Sequence, residues 1–381
     1  QLMPYFVAIN YTVLRDEAVV RRGHERVLRA RLSDADFFFK EDRKRLLGDR
    51  LGDLKRVIYQ ANLGTSYAKV QRFTRLAVYL AEKVLSDKVR DVETTARLCK
   101  CDLVSHMVTE FPSLQGVMGR EYARLEGMPE DVCLGIDQHY LPTRAEGKLP
   151  TSKIGAVVGL ADRMDTIVGC FSVGLDPSGT ADPFALRRHS LAIIRVIEDM
   201  GWDVSLQEFI AKGLSVLREE IEFDSDAIFA KVLAFFRERY KQLMLRSGYK
   251  TDLIEAVISV KFDRIHELRS RIDQLKAFSS ESGEFQDLAL TFKRVTNILK
   301  KHEEPCKVDP GLFKEACEAD LWAAYQGLKN SVHEYLEGME YYKALEVMIR
   351  LRKPVDAFFD GVEILTKESE ALKANRIGVL Q

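Results

Sequence analysis

Strand-forming runs are almost missing from this chain, and so are several signatures that would identify an enzyme on sight. No C-x-x-C pair occurs among its six cysteines (Cys99, Cys101, Cys133, Cys170, Cys306 and Cys317). That excludes the commonest structural zinc spacing and, at 381 residues, a disulfide framework; reduced thiols in a cytoplasmic protein are the simple reading. Charge of one sign is not in excess, since the formal net charge is −1. A claim on nucleic acid therefore rests on local features. No apolar run reaches the ~20 residues of a membrane span; the richest, Ile154 to Leu175, is interrupted by Asp162, Arg163 and Asp165. There is no G-x-S-x-G elbow, no phosphate loop and no dinucleotide fingerprint in a strand context. No signal peptide precedes Gln1, and the chain reads as a fragment of a longer one.

What the chain does have is helix periodicity, with 46% hydrophobic and 30% charged residues, enough for two or three cored domains. Met3 to Val13 is the one convincing strand, rich in aromatic and β-branched residues. A lone strand is unstable, so its sheet belongs to a preceding domain. Asp16 to Arg45 reads as helix, with Val20, Val27, Leu28, Leu32, Ala35, Phe38 and Phe39 on one side. Arg21, Arg22, Arg26, Arg29 and Arg31 lie on the rest of it, suited either to phosphates or to a solvated face salted by Asp16, Glu17 and Glu25. Further helices are expected over Ser66–Val84, Val92–Glu110, Glu130–Tyr140 and Lys153–Phe171. Asp182 is expected to cap a helix with Pro183 at its first position, ending at Gly201. Beyond it, helices are expected over Leu206–Phe223, Asp226–Ser247, Lys250–Phe278, Glu284–Lys301, Pro310–Leu336, Glu340–Phe359 and Glu368–Val379.

Three segments, Leu98–Leu103, Asp137–Pro142 and Leu160–Asp165, resemble the metal-binding segments of the HD phosphohydrolase fold. Such enzymes hold divalent ions with a His, a His-Asp pair and a late Asp. By that resemblance the first His falls on Lys69, the pair on Cys101-Asp102 and the late Asp on Asp162, with His139 at an additional histidine position. An ammonium at Lys69 repels a cation, so the expectation is no metal, with Lys69 paired to Asp102 or Asp162 in the old pocket. A weakly held ion on Asp102, His139 and Asp162 is the alternative, and His106, four residues after Asp102, fits a helical metal pair or an exposed position.

Longer stretches are similar to one family. Gly23–Phe38 (GHERVLRARLSDADFF), Lys100–Gly119, Ala161–Thr166 (ADRMDT), Asp176–Arg188 (DPSGTADPFALRR), Phe292–Ile298 (FKRVTNI) and Leu351–Val362 (LRKPVDAFFDGV) resemble signatures of the β subunit of bacterial heterotetrameric glycyl-tRNA synthetase. His24 and Cys101 depart from the family's usual Asn and Ala. The resemblance implies a mainly α fold. A residual segment would occupy residues 1–45, a degenerate HD-like bundle 46–205, and a helical linker with an anticodon-binding bundle like that of arginyl-tRNA synthetase 206–381. It implies tRNA(Gly) and a catalytic α subunit as partners in an α2β2 assembly, with ATP and Mg2+ used by that α subunit. The fragment itself would be non-catalytic and cytoplasmic, with neither DNA nor membrane as a partner.

Residues 214–381 hold 26 Lys and Arg against 29 Asp and Glu, so RNA binding there needs clustering and stacking. Candidate tRNA contacts are Lys293, Arg294 and Asn297, then Arg352, Lys353, Asp356 and Phe359 around Pro354, then Arg376 with Lys373 and Asn375. Phe358 and Phe359 read as core or as stacking platforms. Arg187 and Arg188 are placed to bind a phosphate at a helix N-terminus or to lock helices together. Three functions stay open at this point: a tRNA-binding synthetase subunit, an HD-type nucleotide phosphohydrolase, and a protein-binding helical scaffold.

Overall fold

The computed structural model describes residues 3, 5–300, 302 and 304–381. It divides into two compact units, Gln1–Arg239 and Tyr240–Gln381. Seventeen α-helices, six 3-10 helices and a two-stranded hairpin make up the regular structure among the described residues.

The first unit begins with an irregular run, not the expected strand. Residues 5–15 form no ladder, and Val7, Ile9, Tyr11 and Val13 are exposed. Strand-prone composition does not make a strand where no second strand offers hydrogen bonds; Pro4 lies outside the described residues. Helix α1 (Glu17–Asp42) follows, with the Asp16 carboxylate accepting from Val19 N. Strands β1 (Ile58–Gln60) and β2 (Gly64–Thr65) pair antiparallel and lead into α2 (Ser66–Val84), capped by the Thr65 hydroxyl.

The expected helix Val92–Glu110 is two helices, α3 (Val89–Leu98) and α4 (His106–Glu110), separated by a 3-10 turn over Cys101–Val104. Ser105 causes the restart, because its hydroxyl accepts from Val108 N and caps α4. Helices α5 (Val117–Leu125), α6 (Glu130–Gln138) and α7 (Lys153–Ser172) come next. Helix α7 is the axis of this unit and is buried on all sides among α2, α3, α6, α8 (Leu186–Met200) and α9 (Leu206–Leu217). Its small residues permit that. A Cβ on Gly159 would lie 2.6 Å from the His139 carbonyl, so only glycine lets the chain after α6 approach.

Asp182 does cap α8, but from four residues upstream: its carboxylate accepts from Leu186 N and Arg187 N, while Pro183 sits in the preceding turn. Helix α9 packs on α2 and α7, so it falls inside the first unit and not after a division at residue 205. Helix α10 (Ser225–Arg246) runs through the division.

In the second unit the expected helix Lys250–Phe278 is again two, α11 (Thr251–Ile258) and α12 (Ile265–Glu281). Then come α13 (Phe285–Leu299), α14 (Ala316–Glu337), α15 (Tyr341–Met348), α16 (Arg352–Gly361) and α17 (Glu370–Leu380). The expected helix end at Lys301 lies outside the described residues. The expected helix Glu340–Phe359 is divided into α15 and α16 by a 3-10 turn over Ile349–Leu351, so the break expected at Pro354 falls just before it. Pro354 stands in the first turn of α16, where its missing N–H has no helical acceptor to lose. Val295, Leu321, Val355, Phe358, Ile364 and Ile377 form the core that joins α13, α14, α16 and α17.

Candidate functional site

The pocket in the first unit is built from four pieces of chain. Helix α2 supplies Lys69 and Arg72. The α3–α4 connection supplies Lys100, Cys101 and Asp102. The end of α6 supplies His139, and α7 supplies Asp162 and Asp165. Lys69 is buried, with its ammonium 2.7 Å from Asp162 Oδ1, 3.3 Å from Asp165 Oδ2, 3.0 Å from the Asp162 carbonyl and 2.7 Å from Thr166 Oγ1. Lys100 holds the other Asp162 oxygen at 2.8 Å and lies 4.0 Å from the centre of the Tyr140 ring. Arg72 donates to both oxygens of Asp165 at 2.7 and 3.2 Å and to Glu220 at 2.8 Å.

Three cations thus meet three carboxylates, and the pocket is electrically closed. Burial works to raise the Asp162 carboxyl, but Lys100 and Lys69 hold it well below the usual carboxylate range. Burial likewise works to lower the Lys69 ammonium, and Asp162 with Tyr59 and Asp165 raises it above its ordinary value. The expected pairing of Lys69 is therefore with Asp162. Asp102 serves the backbone instead. Its Oδ2 accepts from Gly116 N at 2.6 Å and Gly119 N at 3.1 Å, fixing the glycine turn before α5.

The other metal-type donors do not converge. Asp102, His139 and Asp162 do not bring their ligand atoms within 4.8 Å of one another. Burial pushes the Cys101 thiol up to about 12, and the thiol donates to the Arg97 carbonyl at 3.4 Å. His139 is fully buried, its Nδ1 lies 2.6 Å from the Ile136 carbonyl, and burial and Lys100 pull it well below the usual imidazole range. His106 is not one helical turn from Asp102. It opens α4 and stacks on Phe38, ring centres 6.0 Å apart. Sequence reasoning missed Arg72, Lys100 and Asp165. A signal existed in matched spacing, since Lys69 and Arg72 stand three apart on α2, and Asp162 and Asp165 three apart on α7.

Arg187 donates to the Gly179 carbonyl at 2.8 Å, and Arg188 is exposed. The amides at the start of α8 are already taken by the Asp182 carboxylate, so that helix end offers no free phosphate cradle.

In the second unit seven of the ten sequence candidates lie on α13 and α16. Arg294 lies 4.4 Å above the centre of the Phe359 ring, 3.3 Å from Asp356 Oδ1 and 3.8 Å from Asp360 Oδ1. Arg352 pairs with Asp287 at 2.8 Å, and Thr291 donates to Asp356 at 3.3 Å. On the same two helices Lys293, Asn297 and Lys353 are exposed. Phe358 is core, at 0% exposure, whereas Phe359 is half-buried beneath Arg294.

The other three candidates, Lys373, Asn375 and Arg376, stand on α17, where Lys373 pairs with Glu370 at 3.3 Å. Arg376 is buried against Glu318 at 2.9 Å and donates to the Glu363 carbonyl, tying α17 to α14. Beside it Asn375 is also structural: its amide and carbonyl groups bond both backbone groups of Asp309.

Residues 288–381, which comprise nearly all of α13 to α17, match a family model described as "DALR anticodon binding domain". The class defined at this end of the molecule is thus a helical anticodon-binding bundle. Residues 1–259 match the model described as "Glycyl-tRNA synthetase beta subunit". Similar proteins named "Glycine--tRNA ligase beta subunit" include those of Syntrophotalea carbinolica, 45% identical over 380 residues, and Geobacter metallireducens, 46% identical over 381. In both cases all of this chain is covered and 55% of the relative. The chain belongs to the glycyl-tRNA synthetase beta subunit family, and it spans about half the length of the curated relatives it matches.

Proposed function

We propose that this chain is the tRNA-binding part of a glycyl-tRNA synthetase β subunit. It supports glycylation of tRNA(Gly) in the cytoplasm, within an α2β2 assembly whose α subunit binds ATP and Mg2+ and performs the chemistry. The observation that carries this reading is the α13–α16 seam: Arg294 lies over the Phe359 ring, and the same two helices carry exposed Lys293, Asn297 and Lys353, within the stretch similar to anticodon-binding domains. Anticodon bases are unpaired, so they stack on an arginine plane or ring and expose their edges to an amide such as that of Asn297. Asp356 and Asp360 hold the Arg294 guanidinium in one orientation, which lowers the entropy lost when a base stacks on it.

A metal-dependent phosphohydrolase is the weaker reading, because two lysines occupy the pocket a cation would need. The test replaces Lys293 and Asn297 together by Ala. The reading expects tRNA(Gly) binding to weaken by about tenfold or more, in line with about 1–3 kcal/mol per stacked or hydrogen-bonded base. Unchanged affinity in a normally folded double variant contradicts it.

A further inference from the structure

Helix α1 carries a second basic surface that the anticodon reading does not use. Between Arg15 and Arg31 there are six arginines and three acidic residues, in a chain whose net charge is only −1. The structure sorts these arginines. Arg31 is committed to the α4 junction, 3.9 Å from Glu110 and 5.1 Å above the centre of the Phe111 ring. Arg21 is paired with Glu25 at 3.7 Å. Arg22, Arg26 and Arg29 are different. They stand at i, i+4 and i+7, so they share one face of the helix. All three are exposed and have no ion pair among the described residues. Glu25, Ala30 and Ser33 lie beside them on the same helix, and Ser33 continues the stripe one turn on.

We propose that this stripe is a phosphate-gripping surface for RNA, contacting the backbone of the same tRNA away from its anticodon; the proposal rests on the tRNA reading above. The chemistry fits one occupant. A guanidinium offers five donors in a planar fork that matches a phosphate, and a row of three along about 10 Å of helix matches a polyanion better than an isolated carboxylate. The stripe carries three arginines and no Asn or Gln, a set suited to gripping phosphate oxygens along a backbone. The stripe stays fixed relative to the first unit because α1 is anchored at its far end. Asp42 accepts from Arg50, from the amides of His106 and Met107 and from the Tyr122 hydroxyl.

The experiment uses the protein at its natural length and measures tRNA(Gly) binding from 50 to 200 mM salt for wild type and for Arg22→Gln/Arg26→Gln/Arg29→Gln. The variant is expected to bind at least tenfold more weakly at low salt. Its plot of log K against log salt should be shallower by about two. The loss should be equal for tRNAs with native and altered anticodons, and Arg→Lys at the same three sites should restore most of it. An unchanged slope and affinity in the Gln variant, with wild type binding normally, overturns this proposal alone. A wild-type protein that binds no tRNA at all overturns the tRNA reading together with it.

Discussion

Lys69 shows how one buried side chain ties several elements together through charge. A divalent ion gathers carboxylate oxygens and offsets their charge. Here an ammonium and its neighbour Lys100 do the same for Asp162, while Arg72 does so for Asp165. Breaking a buried pair leaves a charge without compensation. Lys69→Met is therefore expected to destabilise the protein by about 3 kcal/mol, read as a lower Tm or denaturant midpoint. An unchanged midpoint would contradict the assignment. Asp102 gives a pH signature of opposite sense to a salt-bridged acid. Burial raises its carboxyl to about 6 from 3.8. Between these values the folded protein holds a proton that the unfolded chain releases. This group's contribution thus falls as pH rises through that window, by at most about 3 kcal/mol, and is level above it. Asp102→Asn keeps an acceptor for Gly116 and Gly119 and should remove that part of the slope in stability against pH. The same slope in the variant would show that Asp102 is not its source.

At the scale of elements, close approach matters more than helix propensity. Gly159 lets α7 lie against the His139 carbonyl, and Arg163 donates to that same carbonyl. Gly159→Ala, favourable for an isolated helix, is expected to destabilise by about 1–3 kcal/mol through overpacking. Equal or greater stability of the Ala variant, by thermal or chemical unfolding, would mean that the chain after α6 yields easily. Arg376→Met should likewise destabilise the second unit by leaving Glu318 buried alone, and should weaken tRNA binding only as far as it unfolds the bundle. The long helices were legible because their apolar residues keep a 3.6-residue period: the expected Ser66–Val84 is α2 to the residue. The breaks between α3 and α4 and between α11 and α12 were not, since the apolar pattern runs on through both. The Lys69–Asp162 pair was anticipated by aligning helices. Arg376 was misplaced because its partner, Glu318, lies far away in sequence and no local pattern marks either residue as buried.

At the scale of the whole molecule, a net charge of −1 and a C-terminal part without basic excess leave recognition to placement of charge. In the proposed reading two surfaces supply that placement, the α13–α16 seam with Arg294 over Phe359 and the arginine stripe of α1. In the proposed division of labour the first reads bases and the second grips backbone. The ion pairs of Lys69 and Lys100 with Asp162 tie α2 and the turn after α3 to α7. The most direct measurement is the affinity of the natural-length protein for tRNA(Gly) and for the same tRNA with altered anticodon bases, across a salt series. Tighter binding of the native anticodon is predicted at every salt concentration, with the difference abolished by Asn297→Ala. Equal affinities for the two tRNAs, or a preference that survives Asn297→Ala, would contradict base readout at the α13–α16 seam.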